Sequence, residues 1–154
     1  MIRKEQSGTS RSSEEVVERA FYVLDSYALF AYFGDEEGAD IVADLIKRTA
    51  EDVSLFLSLI NFGEVAYITE REKGTQQAVE LLEDIRRLPI TLSRIDEERI
   101  LAAAHIKAHH PVSYADAFAI ALAQEFGAAV VTGDPEFKKV ESVVPVLWLR
   151  SIVS

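Results

Sequence analysis

The chain has 154 residues, 49% of them hydrophobic, which suits one domain with a real core. Its 16 basic and 26 acidic residues leave a net charge of −10, which excludes an overall basic footprint of the kind that coats nucleic acid. The absence of cysteine excludes disulfides, thiolate zinc sites and cysteine nucleophiles.

Residues 1–19 are rich in Ser, Arg and Glu and read as an exposed polar arm, either native or a leader or expression-derived extension. Ser12-Ser13-Glu14-Glu15 has capping-box spacing, so a short helix is expected there, with no catalytic role. No run approaches the ~18 apolar residues that span a bilayer, and the N-terminus lacks a signal-type apolar core. A cytoplasmic protein without a membrane partner is expected.

A domain is expected over 20–154. Phe21 to Leu24 predicts a buried strand, and Ser26 to Phe33 a short helix stopped at Gly34. Helical spacing covers 36–50, and a second strand is expected over 53–57. Helices follow over 58–72 and 75–87, separated by Gly74. A strand is expected over 90–92, a helix over 96–109 ending before Pro111, and a helix over 113–126 closed by Gly127. Strands over 128–132 and 144–149 complete the pattern. Short strands, apolar on both faces and alternating with helices, predict an α/β fold with a parallel sheet between helical layers.

Four carboxylates occupy unusual places. Asp25 follows the first strand directly, and Asp134 follows the strand AVVT after one glycine. In an open parallel sheet such positions share the ligand-binding rim if the two strands are neighbours. Taken singly, each also reads as a helix cap: Asp25 precedes Ser26, and Asp134 precedes Pro135. Glu64 sits in the apolar stretch LFLSLINFGEVAYI, where Ser58, Asn61 and Glu64 form one stripe every three residues. That stripe is either a narrow wet face or a functional one. Asp116 begins a helix that is apolar nearly all round, and Ser113-x-x-Asp116 also has capping-box spacing. As a group, the four acids suit a hard cation, Mg²⁺ or Mn²⁺. Clustered carboxylates without one would repel or take up protons. Metal-assisted phosphodiester hydrolysis is the chemistry such a site serves best.

The stretches YVLDS (22–26), NFGEVAY (61–67), SYADAFAIALA (113–123) and VVTGDPEF (130–137) resemble PIN-domain ribonucleases, especially VapC-type toxins of toxin–antitoxin pairs. The resemblance spans about residues 21–150. It implies a PIN-like three-layer sandwich with a parallel five-stranded sheet of order 3-2-1-4-5. It also implies Mg²⁺- or Mn²⁺-dependent endoribonuclease activity. Asp25, Glu64, Asp116 and Asp134 would be the metal-site acids, Glu64 directly or through water, and Ser26 and Thr132 the supporting hydroxyls. RNA is the implied substrate, a small antitoxin the implied partner and a homodimer the implied assembly. Two features depart from the pattern: the 19-residue arm before the first strand, and the acidic net charge.

Rival readings fit less well. An aspartyl phosphatase would carry a second Asp two residues after Asp25, where Tyr27 stands. A receiver domain would need paired acids after the first strand and a late-strand lysine. An inactive PIN scaffold acting as a binding module, and a solitary RNA-processing nuclease, remain the alternatives. His105 and His109 share one helix face without the glutamate of a metalloprotease motif, and they read as dipole-stabilising residues near a helix end. Lys47-Arg48, Arg71 with Lys73, Arg86-Arg87 and Lys138-Lys139 are candidate basic patches, or ordinary solvated charges.

Overall fold

The computed structural model describes residues 18–151. The expected helix start at Ser12–Glu15 lies outside them. In chain order the elements are β1 (Ala20–Leu24), α1 (Ser26–Phe33), α2 (Ala39–Arg48), β2 (Val53–Ser58), α3 (Leu59–Lys73), α4 (Thr75–Arg87), β3 (Ile90–Ser93), α5 (Glu97–His109), α6 (Tyr114–Phe126), β4 (Ala129–Thr132), a 3-10 helix (Pro135–Val140) and β5 (Val146–Trp148). Every strand pair is parallel, and the order is β3-β2-β1-β4-β5. This is the expected five-stranded α/β sandwich. Among the described residues no helix is long and apolar enough to cross a membrane.

The two-residue period of the strands divides the core between the sheet's faces. Val23 and Val130 belong to a cluster with Ala117, Ile120 and Ala123 of α6 and Ala103 and Ile106 of α5. Leu24 and Val131, one residue on, belong to a second cluster with Leu29 of α1, Val42 and Leu45 of α2, Val65 of α3 and Ile85 of α4. Each fully buried side chain of this size contributes roughly 1.5–3 kcal/mol, so both helical layers are held firmly to the sheet. Arg19, just before β1, donates to the carbonyls of Thr49, Glu51 and Val53 and to the Ser54 hydroxyl. It thereby ties the chain's entry to the loop before β2.

Two elements differ from expectation for local reasons. Helix α2 starts at Ala39 rather than Glu36, because Asp35 (φ 51°) and Gly38 (φ 93°) are left-handed and hold the chain in a turn. Strand β5 keeps three of the six residues expected, since the Val144 amide bonds back to Val140 as the 3-10 helix ends.

Gly38 combines a positive φ with a close approach. A Cβ built there would lie 2.5 Å from Leu149 Cβ and 2.6 Å from the Leu149 carbonyl oxygen. Gly127 also has a positive φ (62°), but nothing lies within 4 Å of its Cβ position. Gly38→Ala is therefore expected to destabilise by about 3 kcal/mol or more, and Gly127→Ala by only about 1 kcal/mol. Urea melts of the two variants check this; equal losses would show that backbone strain, not the Leu149 clash, dominates at Gly38.

Candidate active site at the sheet's switch point

The strand order reverses between β1 and β4, the neighbouring pair from which the chain departs in opposite directions. Beyond the carboxyl ends of such a pair an open α/β sheet leaves a crevice. Asp25 leaves β1 into it, and Thr132, Gly133 and Asp134 leave β4 beside it. Helix α3 brings Glu64 and α6 brings Asp116. Together Asp25, Ser26, Glu64, Asp116 and Asp134 line one pocket of about 420 Å³, with Tyr27, Phe30, Ile68, Ser113 and Glu136.

Capping and clustering prove compatible. Asp25 is 2% exposed, and its Oδ1 accepts from the Ala28 amide at 2.9 Å, capping α1. Asp134 Oδ1 accepts from the Glu136 amide at 2.9 Å, capping the 3-10 helix, with Pro135 at its first position. Each cap engages one carboxylate oxygen. Asp116 does not cap; the Ser113 hydroxyl accepts from its amide at 3.1 Å. The Thr132 hydroxyl joins the two strand ends, accepting from the Asp134 amide at 3.0 Å and facing the Asp25 carboxylate. Thr132 is fully buried.

The stripe on α3 turns inward. Ser58 caps the helix through the Ile60 amide and is 2% exposed, and Asn61 is 0% exposed. Ser26 Oγ donates to Glu64 Oε1, and Asn61 Nδ2 lies 3.5 Å from the same oxygen. Glu64 is thus oriented by two partners from two elements. Asn61 and Glu136 are site neighbours that sequence reading did not count among the functional residues. Asn61 was visible in the stripe. Glu136, two residues after Asp134, carried no signal beyond its own charge.

Like charges meet here without compensation. Burial, followed by the charges of Asp116 and Asp134, pushes the Asp25 carboxyl up to about 8. Burial and then Asp134, with Glu64 and Glu136 behind it, raises Asp116 to about 6. Among the described residues no lysine or arginine forms a salt bridge with any of the four acids. An all-oxygen, uncompensated donor set fits a hard divalent cation. The fit is that of an open site: among the described residues no three acids or histidines converge into a ready-made cage. An ion that keeps several waters and takes only a few carboxylates needs no such cage. His105 and His109 lie 4.5 Å apart, ring to ring, on the exposed face of α5.

Most of the candidate basic patches are locally neutralised. Arg48 pairs with Asp44 and Asp52, Arg87 with Asp84, Lys138 with Glu141 and Lys139 with Glu136. Arg71 and Arg86 stack over Tyr67 and Phe62.

Comparison with solved structures gives the same fold in toxin–antitoxin proteins. A VapBC2 complex from Rickettsia felis, bound to promoter DNA, matches with TM-score 0.65 at 14% identity, over 82% of this chain and 97% of that one. A DNA-bound VapBC from Salmonella typhimurium matches with TM-score 0.65 at 19% identity, over 88% and 100%. VapC20 of Mycobacterium tuberculosis, a toxin that cleaves the sarcin-ricin loop, matches with TM-score 0.60 at 15% identity, over 77% and 93%. No curated protein matches the chain at a significant level. The family model for the PIN domain matches residues 22–143, from within β1 to just past the 3-10 helix and through all four acids, and the chain belongs to the PIN-domain family.

Proposed function

We propose that the protein is an Mg²⁺- or Mn²⁺-dependent endoribonuclease that hydrolyses RNA phosphodiester bonds in this pocket, and that it is the toxin of a toxin–antitoxin pair. The observation that carries the reading is the uncompensated cluster of Asp25, Glu64, Asp116 and Asp134 at the switch point of a PIN fold. The likeness to VapBC and VapC proteins, one of them named as a sarcin-ricin loop cleaving toxin, supports both halves. In this reading a small antitoxin is the regulatory partner, the protein works in the cytoplasm, and it assembles as a homodimer.

Asp25, Asp116 and Asp134 would hold the cation, with Glu64 as a further ligand, directly or through water. When bound, the ion supplies charge for the phosphate and a lowered pKa for water at the site. The chain's own contribution is orientation. The Ala28 and Glu136 amides fix Asp25 and Asp134, so both carboxylates are held before any ligand arrives. Ser26 and Asn61 fix Glu64, whose carboxylate would accept a proton from an attacking water. Burial makes the ionised form of Asp25 costly without a partner, so a cation would take the place of its proton there.

Two measurements test the proposal. Millimolar Mn²⁺ should raise the melting temperature by several degrees, because it binds the native state alone. RNA cleavage, assayed on a broad panel of hairpins and single strands, should need Mg²⁺ or Mn²⁺ and stop in EDTA. Cleavage that continues in EDTA would remove the metal from the mechanism. A metal-induced shift without cleavage of any RNA would favour a binding scaffold.

A further inference from the structure

The last row of the sheet is polar across four neighbouring strands. Leu24, Leu57, Leu92 and Val131 stand level in register, and all four turn to the second core cluster. The next residues on, Asp25, Ser58, Ser93 and Thr132, therefore turn to the opposite face, which α5 and α6 cover. None of them is more than 5% exposed. Asp25 is the floor of the acid pocket, and the Thr132 hydroxyl faces it. Ser58 and Ser93 do not line that pocket; they lie one and two strands away from Asp25, roughly 5 and 10 Å along the row.

The two serines line a second cavity, of about 490 Å³, in which Ile95, Ala102, Phe118 and Leu122 form an apolar wall. Phe118 lies on α6 two residues after Asp116, so one helix borders both the acid pocket and this cavity. An apolar wall with a few convergent polar groups suits a small organic group. Those polar groups are unspent. Ser58 Oγ accepts from the Ile60 amide at 3.1 Å and keeps its proton for another partner. The Ser93 hydroxyl makes no hydrogen bond among the described residues. Charge separates the two sites. The acid pocket is lined by five carboxylates and by no lysine or arginine. In the second cavity Arg94 and Arg99 stand against Asp96, Glu98 and Glu125, and Arg99 pairs with Glu125 at 3.0 Å, so the wall is close to neutral. Such a cavity fits a neutral ring hydrogen-bonded at its edge better than a phosphate.

We infer that this cavity is a base-binding subsite: it takes one unstacked base of the RNA, from a nucleotide flanking the scissile bond, with Ser58 and Ser93 at the base's edge and Phe118 and Leu122 against its ring. The inference rests on the ribonuclease reading. Sequence in RNA is read chiefly on bases splayed out of single strands, through ring contacts and edge hydrogen bonds. The row from Asp25 to Ser93 gives the strand a course on which the next nucleotide meets neutral hydroxyls rather than carboxylates.

The test starts from an RNA that the wild-type protein cuts and whose cut position is mapped. A series of that RNA, with one abasic site moved along the positions around the cut, is titrated by fluorescence anisotropy against the full chain carrying Asp116→Asn, which binds without consuming it. One flanking abasic position should weaken binding about tenfold, as for loss of one base from a ring platform. Adding Ala102→Leu, which projects bulk into the cavity from an exposed position on α5, should weaken the intact RNA to the same extent and make that abasic position indifferent. Adding Ser93→Ala should weaken the intact RNA about threefold, as for one neutral hydrogen bond, and leave the abasic one unchanged. Melting curves confirm that each variant folds. An even response to every abasic position, or undiminished binding by Ala102→Leu, would overturn the subsite and leave the nuclease reading standing. A flat abasic scan with Ala102→Leu changing the oligomeric state on size exclusion would overturn it in favour of a protein contact. Wild type that cuts no RNA of the panel, with its Mn²⁺ melting shift present, would remove the ribonuclease reading and the subsite together and leave only the metal site.

Discussion

Replacing Asp116 with asparagine is expected to reduce metal-dependent RNA cleavage by about 100-fold or more while the fold persists. The swap preserves size and shape, and it preserves the backbone bond from the Asp116 amide to the Ser113 hydroxyl that starts α6. It removes one of the proposed ligand carboxylates of the acid pocket, so cation affinity is expected to fall. Asp25→Asn and Asp134→Asn should behave alike, because asparagine keeps an acceptor oxygen for the Ala28 and Glu136 amides. Glu64→Gln separates two roles. Equal loss would make it a ligand; a milder loss, with Mn²⁺ binding retained, would make it a water-positioning group. Circular dichroism and melting curves accompany the cleavage assay. Full-rate cleavage by Asp116→Asn, on an RNA that wild type cuts, would dismiss the four-acid mechanism. A pure capping role predicts that outcome, since helix starts are preserved in every variant.

Much of this site could be read from the chain alone, and the reason is local. Asp25, Asp116 and Asp134 each sit at an element boundary, and boundaries are marked by short-range chemistry: a β-favouring run before Asp25, Ser113 three residues before Asp116, Pro135 after Asp134. The sheet order followed once those signals resembled a known pattern, and strands β1 and β4 do pair as neighbours. What escaped depends on contacts between distant parts of the chain. Whether the stripe of Ser58, Asn61 and Glu64 faced water or the interior was open, because that depends on where α3 meets α1 and α6; the buried Asn61 settles it inward. Tyr27 packs over Gly133 across more than a hundred residues of sequence, and no periodicity reports such a meeting. The delayed start of α2 likewise comes from a turn packed against Leu149 at the other end of the domain.

In EDTA, the stability of the wild-type protein is expected to fall steeply as pH rises, and Asp25→Asn should remove much of that fall. The direction follows from proton counting. An unfolded aspartate titrates near 3.9, whereas the buried Asp25 carboxyl titrates at about 8. Below about pH 4 both states hold the proton, so its contribution to stability is complete. Between the two values the native state holds a proton that the unfolded state has released, and each rise in pH favours unfolding. Above about pH 8 the native state carries an ionised carboxylate buried beside Asp116 and Asp134, and the contribution is gone. On the order of 2–4 kcal/mol of stability should vanish between pH 5 and pH 9 in metal-free wild type. Asp116, raised to about 6, adds to the early part of the same decline. Asp25→Asn cannot ionise, so at pH 9 it should be the more stable protein, and the difference should be several-fold smaller at pH 5. Mn²⁺ reverses the trend for wild type. A cation binds the ionised carboxylate in competition with the proton, so the melting shift it produces should grow with pH. Asparagine lacks the charge and the proton of residue 25, so its shift should be smaller, and above pH 7, where Asp116 is already ionised, nearly flat. Thermal melts of both proteins at pH 5, 7 and 9, with EDTA or with Mn²⁺, give the full comparison. Parallel curves in EDTA would mean that Asp25 is ionised at little cost in the folded protein, and the argument that the pocket's charges await a cation would lose its physical basis.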